Sequence, residues 1–203
     1  MAKGDTIETQ WFEKIKVDPF VISTTPIFKI KVHDWKQVKD VLLNIVDWDE
    51  EDCWMNNRFS DYTKNLKRAN KCPEYEGIFV NELFHEINTF SKHIGKNLKV
   101  VNLWAQRCLK GSVMMAHNHG VHGITAILYT EYDKKKHNTT KFIPPVDDWR
   151  SQHTQPAEID VEEGDMLFFP STLVHYTEPN TSNKPRTLFS LNLKFNGDRP
   201  NEI

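Results

Sequence analysis

From Lys99 onward the chain is written in short apolar or alternating runs separated by turn residues, and this repetition restricts the fold more than any other feature. The runs cover residues 100–108, 124–132, 158–161, 166–169 and 187–195. Regularly spaced short strands with turn signals between them imply an all-β sandwich or barrel. One run, Met166-Leu167-Phe168-Phe169, is apolar at every position between the turn Gly164-Asp165 and Pro170, as expected of a strand buried on both faces. The first half has another texture. Residues 20–32 read as extended, with Pro26 suiting an edge. After Asp34, a plausible N-cap, Val38, Val41, Leu42 and Ile45 fall at helical spacing. A second helix is expected behind an Asn81 cap, with Leu83, Ile87, Phe90 and Ile94 on one face and Gly95 as its stop. Residues 48–73, aromatic and charged without a period, are expected to be an irregular connection over the core. The class is therefore α+β, mainly β: one domain of 203 residues, with a helical and mixed part at 1–98 packed on a strand core at 99–196.

Composition removes several functions. A net charge of -2 gives no footprint for nucleic acid, and no run of eighteen apolar residues spans a bilayer. The basic stretch at 64–71 reads as a solvated face. Cys53, Cys72 and Cys108 are an odd set without CxxC spacing, so neither a disulfide framework nor a thiolate zinc site is expected. With a polar N-terminus, these features favour a cytoplasmic protein.

The chemistry gathers late in the chain, where six of the nine histidines lie between residues 117 and 175. In His117-Asn118-His119 the two imidazoles, at i and i+2 of an extended segment, share one face and can converge on a metal. His175 follows the apolar run and the turn Pro170-Ser171-Thr172, the place where a barrel delivers a ligand to its mouth. Eleven residues on, Arg186 opens the last strand. An inward-facing arginine needs a partner, and a carboxylate suits its planar fork.

Together these residues resemble the 2-oxoglutarate and Fe(II)-dependent oxygenases, closest to a branch of small proteins with His-x-His and the string Gly-Asp-x-x-x-Phe-Pro-Ser-x-x-x-His. The string is present intact at 164–175, and the resemblance spans residues 100–193. It implies a double-stranded β-helix, jelly-roll or cupin-like, and a dioxygenase that couples 2-oxoglutarate decarboxylation to oxidation of a second substrate. Carried over by position, His117, His119 and His175 are the metal ligands and Arg186 anchors the far carboxylate of 2-oxoglutarate, with Ser190 and Tyr129 as hydroxyl donors beside it. The implied cofactors are Fe(II) and 2-oxoglutarate, with molecular oxygen as the other co-substrate.

One departure stands out. Many such sites use two histidines and a carboxylate, and here His119 stands where the acid would be. Glu131 or Asp133 on the next strand could restore a carboxylate, His122 lies close by, and a three-histidine site also suits zinc or manganese. Two other classes compete: a cupin-type metalloprotein, a three-histidine dioxygenase or isomerase, and a non-catalytic jelly-roll binding module. The cupin match is partial, because Gly123 and Ile124 replace its glutamate and Thr172 its second glycine. Arg186 discriminates among the three, since only the oxygenase needs it. For a small-molecule or peptide substrate, Asn102, Trp104 and Gln106 alternate on the strand before the motif. The segment 133–155 is long enough for a lid, offering Phe142, Trp149 and Arg150. Met114 and Met115 read as packing. An open sheet edge leaves a homodimer as a further expectation.

Overall fold

The structure, a computed structural model, describes residues 25–121, 123–145 and 155–196. Strand β1 (Phe28–Lys31) leads to helix α1 (Trp35–Asn44). A 3-10 turn (Glu51–Cys53) then opens a hairpin of β2 (Trp54–Met55) and β3 (Arg58–Ser60), followed by α2 (Tyr62–Leu66), α3 (Glu76–Glu82) and α4 (Phe84–Ile94). The rest is strand: β4 (Leu98–Cys108), β5 (Met114–His117), β6 (Ile124–Glu131), β7 (Lys141–Phe142), β8 (Ala157–Glu158), β9 (Asp165–Pro170), β10 (His175–Thr177) and β11 (Arg186–Phe195). They form a seven-stranded sheet in the order β1-β9-β6-β11-β4-β3-β2 and a four-stranded sheet in the order β5-β10-β7-β8. Every pairing is antiparallel.

The period of two along each strand divides the large sheet into two faces. One carries Leu103, Ala105, Ala126, Leu128, Met166, Phe168, Phe189 and Leu191, which pack against Val38, Leu42, Phe79, Leu83 and Phe90 of the helices. The other carries Ile127, Tyr129, Leu167, Phe169 and Leu188, which meet Phe142 and Leu173 from the side of the small sheet. The apolar run at 166–169 is buried on both faces because it serves both clusters. Each large side chain so buried contributes about 1.5–3 kcal/mol. The double-stranded β-helix is thus two sheets with a core between them and helices outside.

Several expectations change. Asp34 precedes α1 but makes no side-chain cap, because its own φ of 46° is left-handed. Its backbone carbonyl receives the amide of Gln37 at 2.9 Å instead. Asn81 lies inside α3, and the chain breaks at buried Leu83 before α4 starts. Gly95 does end α4, with a φ of 65° that suits glycine. Residues 48–73 are not irregular throughout, since β2 and β3 join the large sheet through β4. Strands of two and three residues are too short to show a period. The run at 158–161 is strand only at Ala157–Glu158, although Val161 is buried in the inner cluster. The extended segment begins at Phe28, two residues after Pro26, and residues 20–24 lie outside the described residues. Gly164 has a φ of +84°, and a Cβ there would sit 2.7 Å from the Trp35 ring, so the turn before β9 admits only glycine. All three cysteines are buried and free. Among the described residues no helix is long and apolar enough to cross a membrane.

Candidate metal and co-substrate site

The inner face of the large sheet turns polar at one end. On β11 the inward residues are Arg186, Leu188, Ser190 and Asn192, and in register beside them on β4 stand Gln106, Trp104 and Asn102, opposite Leu188, Ser190 and Asn192. Strands β5 and β10 of the small sheet close over this strip. Their register places His175 directly opposite His117. The amide of His119, just past β5, donates to the Ser171 carbonyl at 2.8 Å, tying it to the turn after β9. His117, His119 and His175 thereby gather, each with a ligand atom within 4.8 Å of the others'.

Hydrogen bonding decides which nitrogen each ring presents. Nδ1 of His117 lies 2.7 Å from the Met115 carbonyl, Nδ1 of His175 lies 2.9 Å from the Leu173 carbonyl, and Nδ1 of His119 lies 2.8 Å from Oδ1 of Asn192. A carbonyl oxygen can only accept, so each Nδ1 carries the proton and each Nε2 carries the lone pair. Burial pushes the His175 pKa down to about 3, aided by the charges His117 and His119 would carry, with the Leu173 bond opposing; the ring is therefore neutral. Three imidazoles gathered this closely, each able to present Nε2, suit a divalent first-row ion.

Sequence reasoning missed Asn192. Buried at the end of the polar strip, it receives His119, accepts from the Thr125 hydroxyl at 3.0 Å, and donates through Nδ2 to Asn102 at 3.3 Å. The only available signal was its place in the inward register after Ser190. Asn192→Ala should lower metal affinity by about 10–100-fold, the usual effect of losing the partner behind a ligand histidine. Competition with a chromogenic chelator would read this, and unchanged affinity would leave Asn192 a packing residue.

Arg186 occupies the far end of the same narrow chamber, which His117, His119 and His175 line at the other. The side chain is 1% exposed. Its two terminal nitrogens donate to the Asn138 carbonyl at 2.8 Å and to Thr177 Oγ1 at 2.9 Å, while Nε has no partner. An orphaned, buried guanidinium N–H fits an incoming carboxylate. Ser190 also lines the chamber. Tyr129 stands one residue back: its hydroxyl donates at 2.8 Å to Thr140, and Thr140 reaches the chamber wall.

Glu131 is turned away. A bulge between Thr187 and Leu188 sets Glu131 opposite Thr187 and Tyr129 opposite Leu188, reversing the face expected from simple alternation. Its carboxylate accepts from Arg107 at 3.0 Å and from the Thr187 hydroxyl. Asp133 pairs with Lys136. His122, Trp149 and Arg150 lie outside the described residues, as does the stretch 146–154 of the expected lid. Phe142 is buried, with its ring centroid 6.0 Å from that of His175. Asn102 is held in the Asn192 network. Trp104 does face the site, 5.2 Å from the His119 ring. Met114, expected as packing, lines both the chamber and an adjoining cavity, whereas Met115 is 74% exposed. That cavity, about 570 Å³, opens beside His117 and His119 and is walled by the β2–β3 hairpin and α2.

Residues 102–192 match the family model described as "Putative 2OG-Fe(II) oxygenase". The matched segment contains the three histidines and Arg186. That stretch, residues 102–192 of the 203, is where the chain is similar to the 2OG-Fe(II) oxygenases. No curated protein matches the sequence. Among solved structures, HygX from Streptomyces hygroscopicus, crystallised with nickel and 2-oxoglutarate, superposes with a TM-score of 0.62 at 12% identity over 86% of this chain and 84% of that one. The epimerase SnoN of nogalamycin biosynthesis, in complex with Fe3+, alpha ketoglutarate and nogalamycin RO, gives 0.62 at 13% over 83% and 78%. A viral collagen prolyl hydroxylase from Paramecium Bursaria Chlorella virus-1, as its 2OG complex, gives 0.57 at 13% over 84% and 96%. At such identities these likenesses establish the fold, and the match over residues 102–192 supports an enzyme that uses Fe(II) and 2-oxoglutarate. The cupin and binding-module readings give way to it.

Proposed function

We propose that His117, His119 and His175 hold the iron through their Nε2 atoms, that Arg186 and Ser190 hold the distal carboxylate of 2-oxoglutarate, and that the cavity beside His117 and His119 receives the substrate to be oxidised. The observation that carries this reading is the single chamber with three lone-pair-bearing imidazoles at one end and an unsatisfied buried guanidinium N–H at the other. When bound, iron with 2-oxoglutarate and dioxygen supplies an oxidant for an otherwise unreactive C–H bond, leaving succinate and carbon dioxide. The residues of the chain have quieter tasks. The carbonyls behind the histidines fix their tautomers. Arg186 neutralises and orients one end of the co-substrate so that its oxo-acid end faces the histidines. Trp104, buried and packed on His119, shields the site from water. Three neutral ligands leave the metal more positive than a carboxylate-containing set would, which favours an anionic oxo-acid.

We also read the chain as one domain, because β1, β2 and β3 of its first part complete the large sheet. A cytoplasmic location, and pairing of two copies through an open edge strand, carry over as expectations. The deciding experiment is anaerobic titration of the purified protein with Fe(II) and 2-oxoglutarate. A saturable visible charge-transfer band is expected. Metal binding without a band would move the assignment to a cupin-type metal site.

A further inference from the structure

The cavity beside the histidines carries information about what it accepts. Its described charged lining residues other than histidine are Asp52, Arg58 and Lys64. Lys64 is neutralised by Glu50, and Asp52 lies exposed in the 3-10 turn. Arg58 differs. It projects from β3 on the inward face, one position from Phe59, which enters the outer core, and two from Ser60, which lines the same cavity. Among the described residues its guanidinium reaches only the Val113 carbonyl at 3.4 Å, at the limit of hydrogen bonding, and Met114 Sδ at 3.5 Å, a weak acceptor. The other described arginines are committed: Arg68 to Glu74, Arg107 to Glu131 and the Trp48 ring, Arg186 to the co-substrate chamber. No carboxylate among the described residues lies within ion-pair reach of Arg58. A half-buried guanidinium with poor partners, aimed into a cavity, is arranged for an anion from outside.

The same walls favour a flat body. Tyr62 meets Trp104 edge to face at 4.9 Å, both line the cavity, and Tyr62 is left partly exposed at the opening. Such a frame offers ring faces and edges to a planar guest. We propose that the substrate is a small organic acid, carboxylate or phosphate, on a planar ring system, with Arg58 binding the acid and the Tyr62 and Trp104 rings holding the body beside the histidines. The inference rests on the oxygenase reading of the site. It places the acid at the β3 wall and a ring carbon toward His117 and His119, so that the group recognised and the bond oxidised are at opposite ends.

The test is calorimetric titration of the protein, anaerobic with Fe(II) and 2-oxoglutarate, with three probes of one shape: naphthoate, naphthyl phosphate and neutral naphthamide. At least one acid should bind about tenfold tighter than the amide, as a charge-assisted pair at a partly exposed site gives. The tighter acid identifies the class, carboxylate or phosphate. Arg58→Gln should bring the three probes within twofold of one another, and Arg58→Lys should keep part of the preference. Equal binding of all three to the unaltered protein, binding of none, or a preference that survives Arg58→Gln would overturn the inference. The comparison of probes on the unaltered protein needs no variant to fold. A charge-transfer band without acid preference would defeat this inference alone, whereas absence of the band would defeat the oxygenase reading beneath it.

Discussion

Replacing Arg186 with methionine should lower 2-oxoglutarate affinity by about 10²–10³-fold while leaving metal content unchanged, because removing one partner of a buried, hydrogen-bonded charge pair costs about 2–5 kcal/mol. The structure makes this arginine unusual in its own right. It is among the largest fully buried side chains, and no carboxylate among the described residues lies within ion-pair reach of it. An uncompensated charge in a protein interior is unfavourable, and an incoming carboxylate relieves it by bonding the orphaned Nε. Stability should report the same event. 2-Oxoglutarate should raise the melting temperature of the metal-loaded native protein by mass action and leave the variant where it was. Without ligand the two proteins should melt within a few degrees, since removing the buried charge offsets the lost bonds to Asn138 and Thr177. Equal stabilisation of both proteins by 2-oxoglutarate would place its carboxylate elsewhere.

His175→Ala should reduce metal affinity by more than the roughly 10–100-fold expected for a residue behind a ligand, with the β-core intact. The ring sits where β10 pairs with β5, with its centroid 4.4 Å from that of His117 and 5.0 Å from that of His119. Truncation removes a ligand whose lone pair is fixed by the Leu173 carbonyl and opens a small cavity against Phe169, for which about 1–3 kcal/mol of stability is a reasonable loss. Elemental analysis after gel filtration measures the metal, and far-UV circular dichroism reads the fold. Stoichiometric metal in a folded variant would remove His175 from the ligand set.

These two residues were legible because each belongs to a short, self-contained pattern. His175 closes a motif of twelve residues that begins with a turn only glycine can make. Arg186 opens a strand of ten residues that follows the motif at a fixed offset. Other expectations went astray for equally definite reasons. Glu131 fell on the wrong face because one bulge reverses parity, and a bulge has no period of its own. Asn81 looked like a cap because an asparagine before an apolar stripe is the usual signal, yet the stripe is shared by two helices that meet at Leu83. The β2–β3 hairpin was invisible because its strands are shorter than any alternation.

What the sequence by itself determined is what is local: the strands of the second half, the i and i+2 spacing of His117 and His119, and the turn and offset that carry His175 and Arg186. These follow from steric periods within a few residues. The tertiary structure alone decided what depends on register between distant segments. It set His175 opposite His117 across β10 and β5, put Asn192 behind His119, turned Glu131 outward, and brought Arg58 from the first half of the chain to the cavity beside the histidines. Cross-strand pairing joins residues more than fifty positions apart, and its choice is made by the whole sheet finding one buried face.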